Sequence, residues 1–526
     1  FYEDLFKTKV VKSSEELKIE RIIEKKINEM WKKAESQEPI ILTEAEVEEG
    51  IKLLKTKKAG DNEGWQNEII KNGGFEMIKS LTLIFNRIIK EKKIPEQWEN
   101  MKIKSVYKNK GARDEIKNRR GIFLTSTVSK LFEKVLLQKV QSKIRRNQFQ
   151  MGGQRGRSAT DNWMMIMGIL DNNRRLNRNT YMVMADAEKC FDKLWFKDCL
   201  IDMNEAGLRE REVELLYILN KKAKITIQTP VGETKEIIVE EIVKQGTVFG
   251  PQLCCVNSAK INGIGEDSVT MIAPTIGFKS PVYVDDILGI GSREAVEKVG
   301  RNLGEMEKKK KYTFNVGNGK SLYMVIKTGR EKEKEVNIVL EKRKIEKTED
   351  YKYLGNWING KGTVRKQIVE IKKKSKGMIE ESRKIGSESK AGRMSTIVTI
   401  MIYEKTILPA ILYNLEIWTN WKRKEWEELE RIQANVLKKL LDLPISTPYW
   451  GILNELGMWT MEARVVEKRM LLYHNIMNTK GKRICKEIVE EQRKLEVDNG
   501  WYNQVKKESQ KYGIEIDKIK IMSKME

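Results

Sequence analysis

The chain has 526 residues, with 100 lysines and arginines against 76 aspartates and glutamates, so its net charge at pH 7 is +24. At roughly 150 residues per domain, this length allows about three or four domain-sized units. A single histidine excludes sites built from several imidazoles, and five cysteines without a C-x-x-C pair argue against a zinc finger or a disulfide framework. No apolar run approaches the roughly 20 residues that a bilayer span needs. Because the chain begins at Phe1 and not at methionine, we take it to be part of a longer reading frame.

The excess of positive charge predicts a polyanionic partner, because neutralising many phosphates releases counterions and favours binding. A membrane surface is the alternative partner, and it calls for one basic amphipathic helix or one polybasic cluster. Here the basic residues are spread along the whole chain and alternate with glutamates. Nucleic acid is therefore the favoured partner, against the simpler reading of a solvated surface rich in lysine and glutamate.

Helical periodicity dominates the first part of the chain. Residues 1–40 predict a charged helix, and Thr43 and Glu46 then have the spacing of a capping box. A second helix is expected to end at Gly60 and a third at Pro95. The segment "MKIKSVYKNKG" alternates apolar and basic residues like an exposed strand, and "TSTVSKLFEKVLLQKVQSKI" is helical again.

The middle of the chain predicts a sheet. "TYMVMAD" is typical of a short buried strand, and "SPVYVDDILGIGS" predicts a hairpin with Asp285 and Asp286 at its turn. "NIVLEKRKIEKTEDYKYLGNWING" is sheet-like as well, whereas the chain from about residue 361 onward is nearly all helical. An α+β class with helical flanks is expected.

Three acidic residues stand at strand ends in apolar surroundings: Asp186, Asp285 and Asp286. Carboxylates in such places are costly to desolvate, and adjacent ones repel each other. Divalent cations relieve both costs, and two Mg²⁺ ions about 4 Å apart are the usual arrangement for in-line phosphoryl transfer. The alternative is that paired aspartates are common in turns.

Neighbouring segments favour the catalytic interpretation. "VKQGTVFGPQL" lies between the acidic segments and holds Gln245 beside Gly246, and glycines let a substrate approach the backbone closely. Phe191 follows Asp186 by five residues, where an aromatic ring can pack under a deoxyribose and clash with a 2′-hydroxyl.

In order along the chain, "MADAEKCFDKLW", "KQGTVFGPQL", "YVDD", "GNGKSLYMVI" and "YKYLGNWI" resemble the motifs of a reverse transcriptase, specifically that of non-LTR (LINE-type) retrotransposons. Upstream, "NRRGIFLTSTVSKLFEKVL" and "QMGGQRGRSATDN" are similar to finger motifs and to a Gly-Arg-Ser motif of LINE-type enzymes. The resemblance runs from about residue 41 to about residue 475. It implies a right-hand polymerase of fingers, palm and thumb, with an antiparallel palm sheet, helical flanks and a helical C-terminal region.

The resemblance also implies roles for individual residues. The metal ligands and catalytic carboxylates would be Asp186, Asp285 and Asp286. The residues that contact the incoming nucleotide would be Phe191 as the sugar gate, Gln245, Gly246, Arg120, Lys320 near the leaving pyrophosphate, and Lys108 or Lys110. The primer grip would be Tyr353, Leu354 and Gly355, and the template path would include Arg155, Gly156, Arg157 and Ser158.

Partners and domains follow from the same resemblance. The expected cofactor is a pair of Mg²⁺ ions, with Mn²⁺ as a possible replacement. The expected partners are an RNA template, a DNA primer or target DNA, and deoxynucleoside triphosphates, with no membrane, and with an endonuclease domain upstream in the full-length protein. The expected locations are the cytoplasm and the nucleus. The expected divisions are a helical extension (1–40), fingers with the first part of the palm (41–175), palm (176–345), primer grip with helical thumb and connector (346–480), and a basic tail (481–526).

Three departures from the family pattern stand out: Arg119 replaces the usual aromatic residue, Gln252 replaces an apolar one, and the lysine motif is lengthened. None of them removes a metal ligand. Alternative functions are an inactive RNA-binding scaffold, an RNA-dependent RNA polymerase and a group II intron maturase. The intact aspartates argue against the first, and Tyr283 and Phe191 argue against the second. The Gly-Arg-Ser segment weighs moderately against the third.

Overall fold

The computed structural model describes residues 14–521, apart from residues 59, 62, 109–110, 189, 230–231, 274–275, 318, 388–394 and 480–482. The elements before the central sheet are α1 (Ser14–Glu35), α2 (Glu44–Lys52), α3 (Asn67–Asn72), α4 (Gly74–Glu91), α5 (Glu96–Glu99), β1 (Asn100–Tyr107), β2 (Arg119–Leu124), α6 (Thr127–Val140) and α7 (Ala159–Arg175). The predicted capping box is confirmed, since the Thr43 hydroxyl accepts from Glu46 N and the Glu46 carboxylate accepts from Thr43 N.

The central elements are β3 (Thr180–Ala185), α8 (Cys190–Lys193), α9 (Phe196–Glu205), α10 (Glu210–Asn220), β4 (Lys222–Thr229), β5 (Gly232–Glu233), β6 (Ile237–Glu240), α11 (Gly250–Ser258), β7 (Thr270–Ala273), β8 (Ile276–Phe278), β9 (Val282–Tyr283), β10 (Asp286–Gly291), α12 (Arg293–Lys310) and β11 (Leu322–Ile326). Short strands follow: β12 (Val339–Leu340), β13 (Arg343–Lys344), β14 (Glu346–Lys347), β15 (Asp350–Tyr353) and β16 (Asn356–Asn359).

The C-terminal part is helical, as predicted: α13 (Arg365–Ser387), α14 (Thr396–Ile402), a π-helical turn (Tyr403–Ile407), α15 (Leu408–Ile411), α16 (Arg423–Leu440), α17 (Tyr449–Glu455), α18 (Met461–Met477), α19 (Ile484–Lys494), α20 (Trp501–Lys511) and α21 (Ile516–Ile519). Among the described residues, 3-10 turns occur at Ile116–Asn118, Ala259–Asn262 and Leu415–Ile417. None of the helices in the described part of the chain combines the length and the apolar character needed to cross a bilayer.

The central sheet has the order β14-β11-β3-β10-β9, and β3 pairs antiparallel with both β10 and β11. Every residue of β3 is buried. Successive side chains of a strand point to opposite faces, so Tyr181, Val183 and Ala185 join one hydrophobic cluster while Met182 and Met184 join another. The sheet is therefore covered on both faces, which explains the continuous apolar run in the sequence.

A second sheet has the order β2-β1-β4-β5, with β6 beside β4, and combines two strands that precede β3 in the chain with three that follow it. Burial alternates along β1 as predicted: Met101 and Ile103 are buried, whereas Lys102 is half-buried and Lys104 is exposed. The two buried residues form a small core with Phe123 and Ile225. β1 and β2 are antiparallel, and their register pairs Val106 with Arg120. That hairpin presents Arg120 at its end.

The helical region packs around α7, whose residues are buried from Asp161 to Asn173. The segment predicted as a basic tail (481–526) contains the helices α19 to α21, and buried residues of these helices pack against the rest of the C-terminal region. Trp501 is 1% exposed and donates from its indole to Glu416 O at 2.9 Å. The apolar face of α20 is the reason, since burying an indole removes a large hydrophobic surface from water.

Candidate active site

The three aspartates lie at one edge of the central sheet. Asp186 follows the last residue of β3, and Asp286 is the first residue of β10. The register pairs Ala185 with Ile287, so one further step places Asp186 opposite Asp286. Asp285 lies in the two-residue turn that joins β9 to β10, because Tyr283 pairs with Asp286. The predicted hairpin is thus present, with Val284 and Asp285 as its turn residues.

Asp186 is surrounded by donors. Lys320 Nζ lies 2.9 Å from Oδ1 and 3.0 Å from Oδ2, and the Asn315 side-chain amide donates to Oδ2. The backbone N–H of Asp186 donates to Ser321 Oγ at 3.1 Å. Lys320, which the family resemblance placed near the leaving pyrophosphate, therefore reaches the acidic cluster itself.

The surroundings of the two hairpin carboxyl groups raise the pKa of each. Burial, then the charges of Asp285 and Asp186, raise the pKa of Asp286 to about 7, while Lys320 and Arg120 act in the opposite direction. Burial is also the largest cause that raises the pKa of Asp285, and Asp186 adds to it. This mutual repulsion shows that the three groups share one electrostatic site, and a bound cation would relieve it.

The donor set of this site suits a hard divalent cation, because it offers carboxylate oxygens and no sulfur or imidazole. Within the part of the chain that the structure describes, the side chains as they stand do not enclose a ready cation site of three or more such ligands. In this arrangement the Lys320 ammonium contacts both oxygens of the Asp186 carboxylate.

Arg120 comes from the neighbouring sheet. It is exposed, and its positive charge lowers the pKa values of both Asp285 and Asp286, which places it within electrostatic reach of the hairpin. Lys108, on the same hairpin, is exposed, and its backbone N–H donates to Asn118 O at 2.9 Å. Lys110 lies outside the described residues.

The loop at Gln245 and Gly246, which the sequence predicts to contact the nucleotide, is hydrogen-bonded to strand β2 of the β1–β2 pair. Phe123 N donates to Gln245 O at 2.9 Å. Gly246 has a φ of 116°, and a Cβ added there would come within 2.8 Å of Phe123 O, so only glycine allows this approach. Glu133, on α6, accepts from the backbone of Val248 and Phe249 at 2.8 and 3.1 Å. The sequence analysis missed Glu133, whose place in a helical pattern carries no functional signal.

Phe191 lies in α8 and is partly buried against the hydrophobic cluster on one face of the central sheet. The primer-grip residues form the β15–β16 turn, where Leu354 and Gly355 both have positive φ. Tyr353 is 4% exposed, and its hydroxyl accepts from Asn162 at 2.9 Å. The Tyr413 hydroxyl donates to Leu354 O at 3.1 Å, so this turn rests on the helical region.

The Gly-Arg-Ser segment precedes α7. Ser158 forms a capping box with Asp161, whose carboxylate accepts from Ser158 N at 2.7 Å. Arg155 and Gly156 are exposed, and Arg157 is half-buried beside Met151. Ser158 therefore caps the N-terminus of α7. Of the two arginines, Arg155 is the more accessible to solvent.

A comparison with known protein families covers the segment that holds the three aspartates, Arg120 and the loop at Gly246. Residues 107–358 match the family model described as reverse transcriptase (RNA-dependent DNA polymerase). These residues form a reverse transcriptase domain. No curated protein matches the chain.

The reverse transcriptase domain confirms the predicted fingers–palm–thumb polymerase fold and the enzyme class, an RNA-directed DNA polymerase that transfers nucleotidyl groups. Such a domain binds an RNA template, a primer and deoxynucleoside triphosphates. Enzymes of this family use divalent metal ions. The three aspartates, Arg120, Gln245 and Lys320 all fall within the matched segment.

Proposed function

We propose that this chain is the reverse transcriptase of a non-LTR (LINE-type) retrotransposon, which extends a DNA primer on an RNA template with two Mg²⁺ ions. Mn²⁺ is an alternative cation. The observation that carries the proposal is the edge of the central sheet, where Asp186 and the Asp285–Asp286 pair share one electrostatic site that Arg120 also reaches. The Gly-Arg-Ser segment ahead of α7 supports the LINE-type assignment.

In this proposal Asp186, Asp285 and Asp286 hold the ions. When bound, the ions lower the pKa of the primer 3′-hydroxyl and neutralise charge on the triphosphate. A bond forms between the primer 3′-oxygen and the α-phosphorus, and the bond to the pyrophosphate oxygen breaks. The protein contributes mainly positioning and charge, as is general for phosphoryl transfer.

The remaining residues position the substrate. Arg120 and Lys108 or Lys110 bind the triphosphate, and Gln245 and Gly246 line the nucleotide pocket, where the absent Cβ leaves room for the base or sugar. Phe191 excludes the 2′-hydroxyl. Lys320 moves from Asp186 to the leaving pyrophosphate when the cations bind. Tyr353, Leu354 and Gly355 hold the primer end, and Arg155, Gly156, Arg157 and Ser158 line the template path.

The proposal retains the division of the chain into an extension (1–40), fingers (41–175), palm (176–345) and primer grip with thumb (346–480). An upstream endonuclease domain in the full-length protein and action in the cytoplasm and nucleus belong to the same proposal. A group II intron maturase is the alternative within the same polymerase class, and incubating the chain with group II intron RNA in a splicing assay tests it. Faster splicing would favour that alternative.

The experiment that tests the reaction is extension of an annealed DNA primer on an RNA template with Mg²⁺. We expect the wild-type chain to extend the primer and Asp285→Ala to be at least about a thousandfold slower. Asp267→Ala is the matched control, because Asp267 is an exposed aspartate that pairs with Lys279 at 3.0 Å. No extension by the wild type, or normal extension by Asp285→Ala, would refute the proposal.

A further inference from the structure

The side chain of Gln150 forms hydrogen bonds with the turn of the β9–β10 hairpin, which carries Asp285 and Asp286. This side chain is buried, at 2% exposure, and its amide makes a two-point contact with Val284. The Oε1 atom accepts from Val284 N at 3.0 Å, and Nε2 donates to Val284 O at 3.1 Å. The same carbonyl also accepts from the hydroxyl of Ser258 on α11. The Gln150 amide thus bonds the N–H and the C=O of Val284, as a neighbouring strand would bond the backbone groups of a strand residue.

The backbone beside Gln150 anchors this contact. Val282 N donates to Phe149 O at 2.9 Å, and Met151 N donates to Val282 O at 2.8 Å. Gly152 follows directly, and a Cβ at that position would lie 2.4 Å from Val284 N. The segment 149–152 therefore approaches the hairpin too closely for any residue larger than glycine at its end.

Val284 needs such support. Its φ is 59°, in the left-handed region, which a β-branched residue adopts rarely and with strain. Val284 stands between Tyr283 and Asp285, so its conformation sets the direction of the following carboxylates. Such a conformation persists only where surrounding contacts hold it. The hydrogen bonds of Gln150 and Ser258 to the Val284 backbone supply these contacts.

We infer that Gln150 is a positioning residue for the polymerase reaction, because it fixes the Val284 turn in the conformation that brings Asp285 and Asp286 to Asp186. This role belongs to the first half of the "QMGGQRGRS" segment, to which the sequence analysis assigned no function. The inference rests on the proposed function for its catalytic consequence. The contact itself is independent of that function.

The variant that tests the inference is Gln150→Met, which keeps the length of the side chain and removes its hydrogen bonds to Val284 together with those to Gly152 N, Cys255 O and Ser258 Oγ. Gln433→Met is the matched control, since Gln433 is also buried and also makes several side-chain hydrogen bonds: Nε2 donates to the Tyr403 hydroxyl at 2.9 Å and to Trp459 O at 3.4 Å, and Oε1 accepts from the Tyr449 hydroxyl. Gln433 lies in the helical region on α16, away from the hairpin. Ser258→Ala is a milder second variant, because it removes one contact to the same carbonyl.

Three measurements separate positioning from general stability. Hydrogen exchange of the peptide that covers residues 282–288 reports the Val284 amide, Mn²⁺ titration by electron paramagnetic resonance reports the carboxylates, and steady-state extension gives kcat and KM. For Gln150→Met we expect exchange and kcat to change by about tenfold or more, with Mn²⁺ binding weaker and the KM for the primer–template within about threefold of wild type. Ser258→Ala should change in the same direction by less.

Gln433→Met should lower the melting temperature without these changes. The inference is overturned if exchange at 282–288 and kcat of Gln150→Met stay within about twofold of wild type, or if Gln433→Met reproduces them. If Gln150→Met does not fold, unchanged exchange and kcat in Ser258→Ala overturn it. A wild-type chain that fails to polymerise contradicts the proposed function instead, while the exchange measurement still tests the contact.

Discussion

The ammonium of Lys320 donates hydrogen bonds to both carboxylate oxygens of Asp186, at 2.9 and 3.0 Å. The same oxygens are the proposed metal ligands, so the lysine and the cation compete for one carboxylate. We predict that Lys320→Met tightens Mn²⁺ binding in the absence of nucleotide by about tenfold, which is ~1.4 kcal/mol. Electron paramagnetic resonance of free Mn²⁺ measures this.

The same variant should lose catalysis, because a charge that meets the leaving pyrophosphate has gone. We expect kcat to fall by about a hundredfold. Lys361→Met is the control, since Lys361 is exposed and carries the same charge. Unchanged Mn²⁺ affinity in Lys320→Met would show that the ammonium does not compete with the cation.

The raised pKa of Asp286 makes the stability of the metal-free protein depend on pH. Burial and the neighbouring carboxylates raise this pKa from 3.8 to about 7. Because the folded state holds the proton more tightly than the unfolded state, stability falls as pH rises between these two values. In EDTA, Asp286→Asn should therefore raise the melting temperature more at pH 8 than at pH 5. An equal gain at both pH values would contradict the coupling, and Asp267→Asn serves as the exposed control.

Arg120 should contribute to triphosphate binding through its charge. We predict that Arg120→Ala raises KM for the deoxynucleoside triphosphate by about tenfold, because a charge-assisted contact to phosphate is lost. Steady-state extension at varied nucleotide concentration measures it. Arg113→Ala, an exposed arginine before β2, should leave KM within about twofold. Equal effects in the two variants would mean that general positive charge, and not Arg120, binds the triphosphate.

Phe191 should select against the 2′-hydroxyl. With the ring removed in Phe191→Ala, we expect the ratio of ribonucleotide to deoxynucleotide kcat/KM to rise by about tenfold or more, since a steric clash is lifted. Trp195→Ala is the matched control, because Trp195 is a partly buried aromatic residue next to α9 that carries Lys311 over its ring. If the ratio does not change in Phe191→Ala, the residue belongs to the core and not to the sugar pocket.

Arg469 should support the C-terminal packing. It is fully buried, donates to Glu416 O at 3.0 Å and to Trp418 O at 2.8 Å, and pairs with Glu508. Replacing it by methionine leaves a buried carboxylate without its partner, which typically costs about 3–5 kcal/mol. Urea unfolding followed by tryptophan fluorescence measures the loss. Arg431→Met, on the exposed face of α16, should change the free energy of unfolding by less than about 1 kcal/mol.

Sequence patterns were sufficient to predict the sheet edge. The apolar run before Asp186 and the alternation around Asp285 and Asp286 predicted the two strands, and the ordered motifs predicted that they pair. The helical C-terminal region followed from 3.6-residue periodicity, and apolar residues on one face of α16, such as Leu429 and Val436, are buried in the structure.

The contacts that hold the site could not be predicted in the same way. Gln150 meets a residue 134 positions away, and a glutamine outside a periodic element gives no signal of its partner. The tryptophans show the same limit. Trp418 is fully buried, whereas Trp450 and Trp459 are 69% and 54% exposed, because the presence of a tryptophan does not say whether another part of the chain covers it.

The carboxyl group of Asp171 on α7 accepts hydrogen bonds from residues more than 300 positions further along the chain. Asp171 is buried, and its Oδ2 accepts from Trp501 N, 330 positions along the chain, and from Gln492. Arg174, three residues along the same helix, pairs with the other oxygen, Oδ1, at 3.0 Å, so only Oδ2 depends on donors from the end of the chain. A chain that stops before Ile484 lacks both donors and the two helices, α19 and α20, that cover this side of α7, so we expect such a truncated product to expose the apolar residues of α7 and to be degraded by proteases.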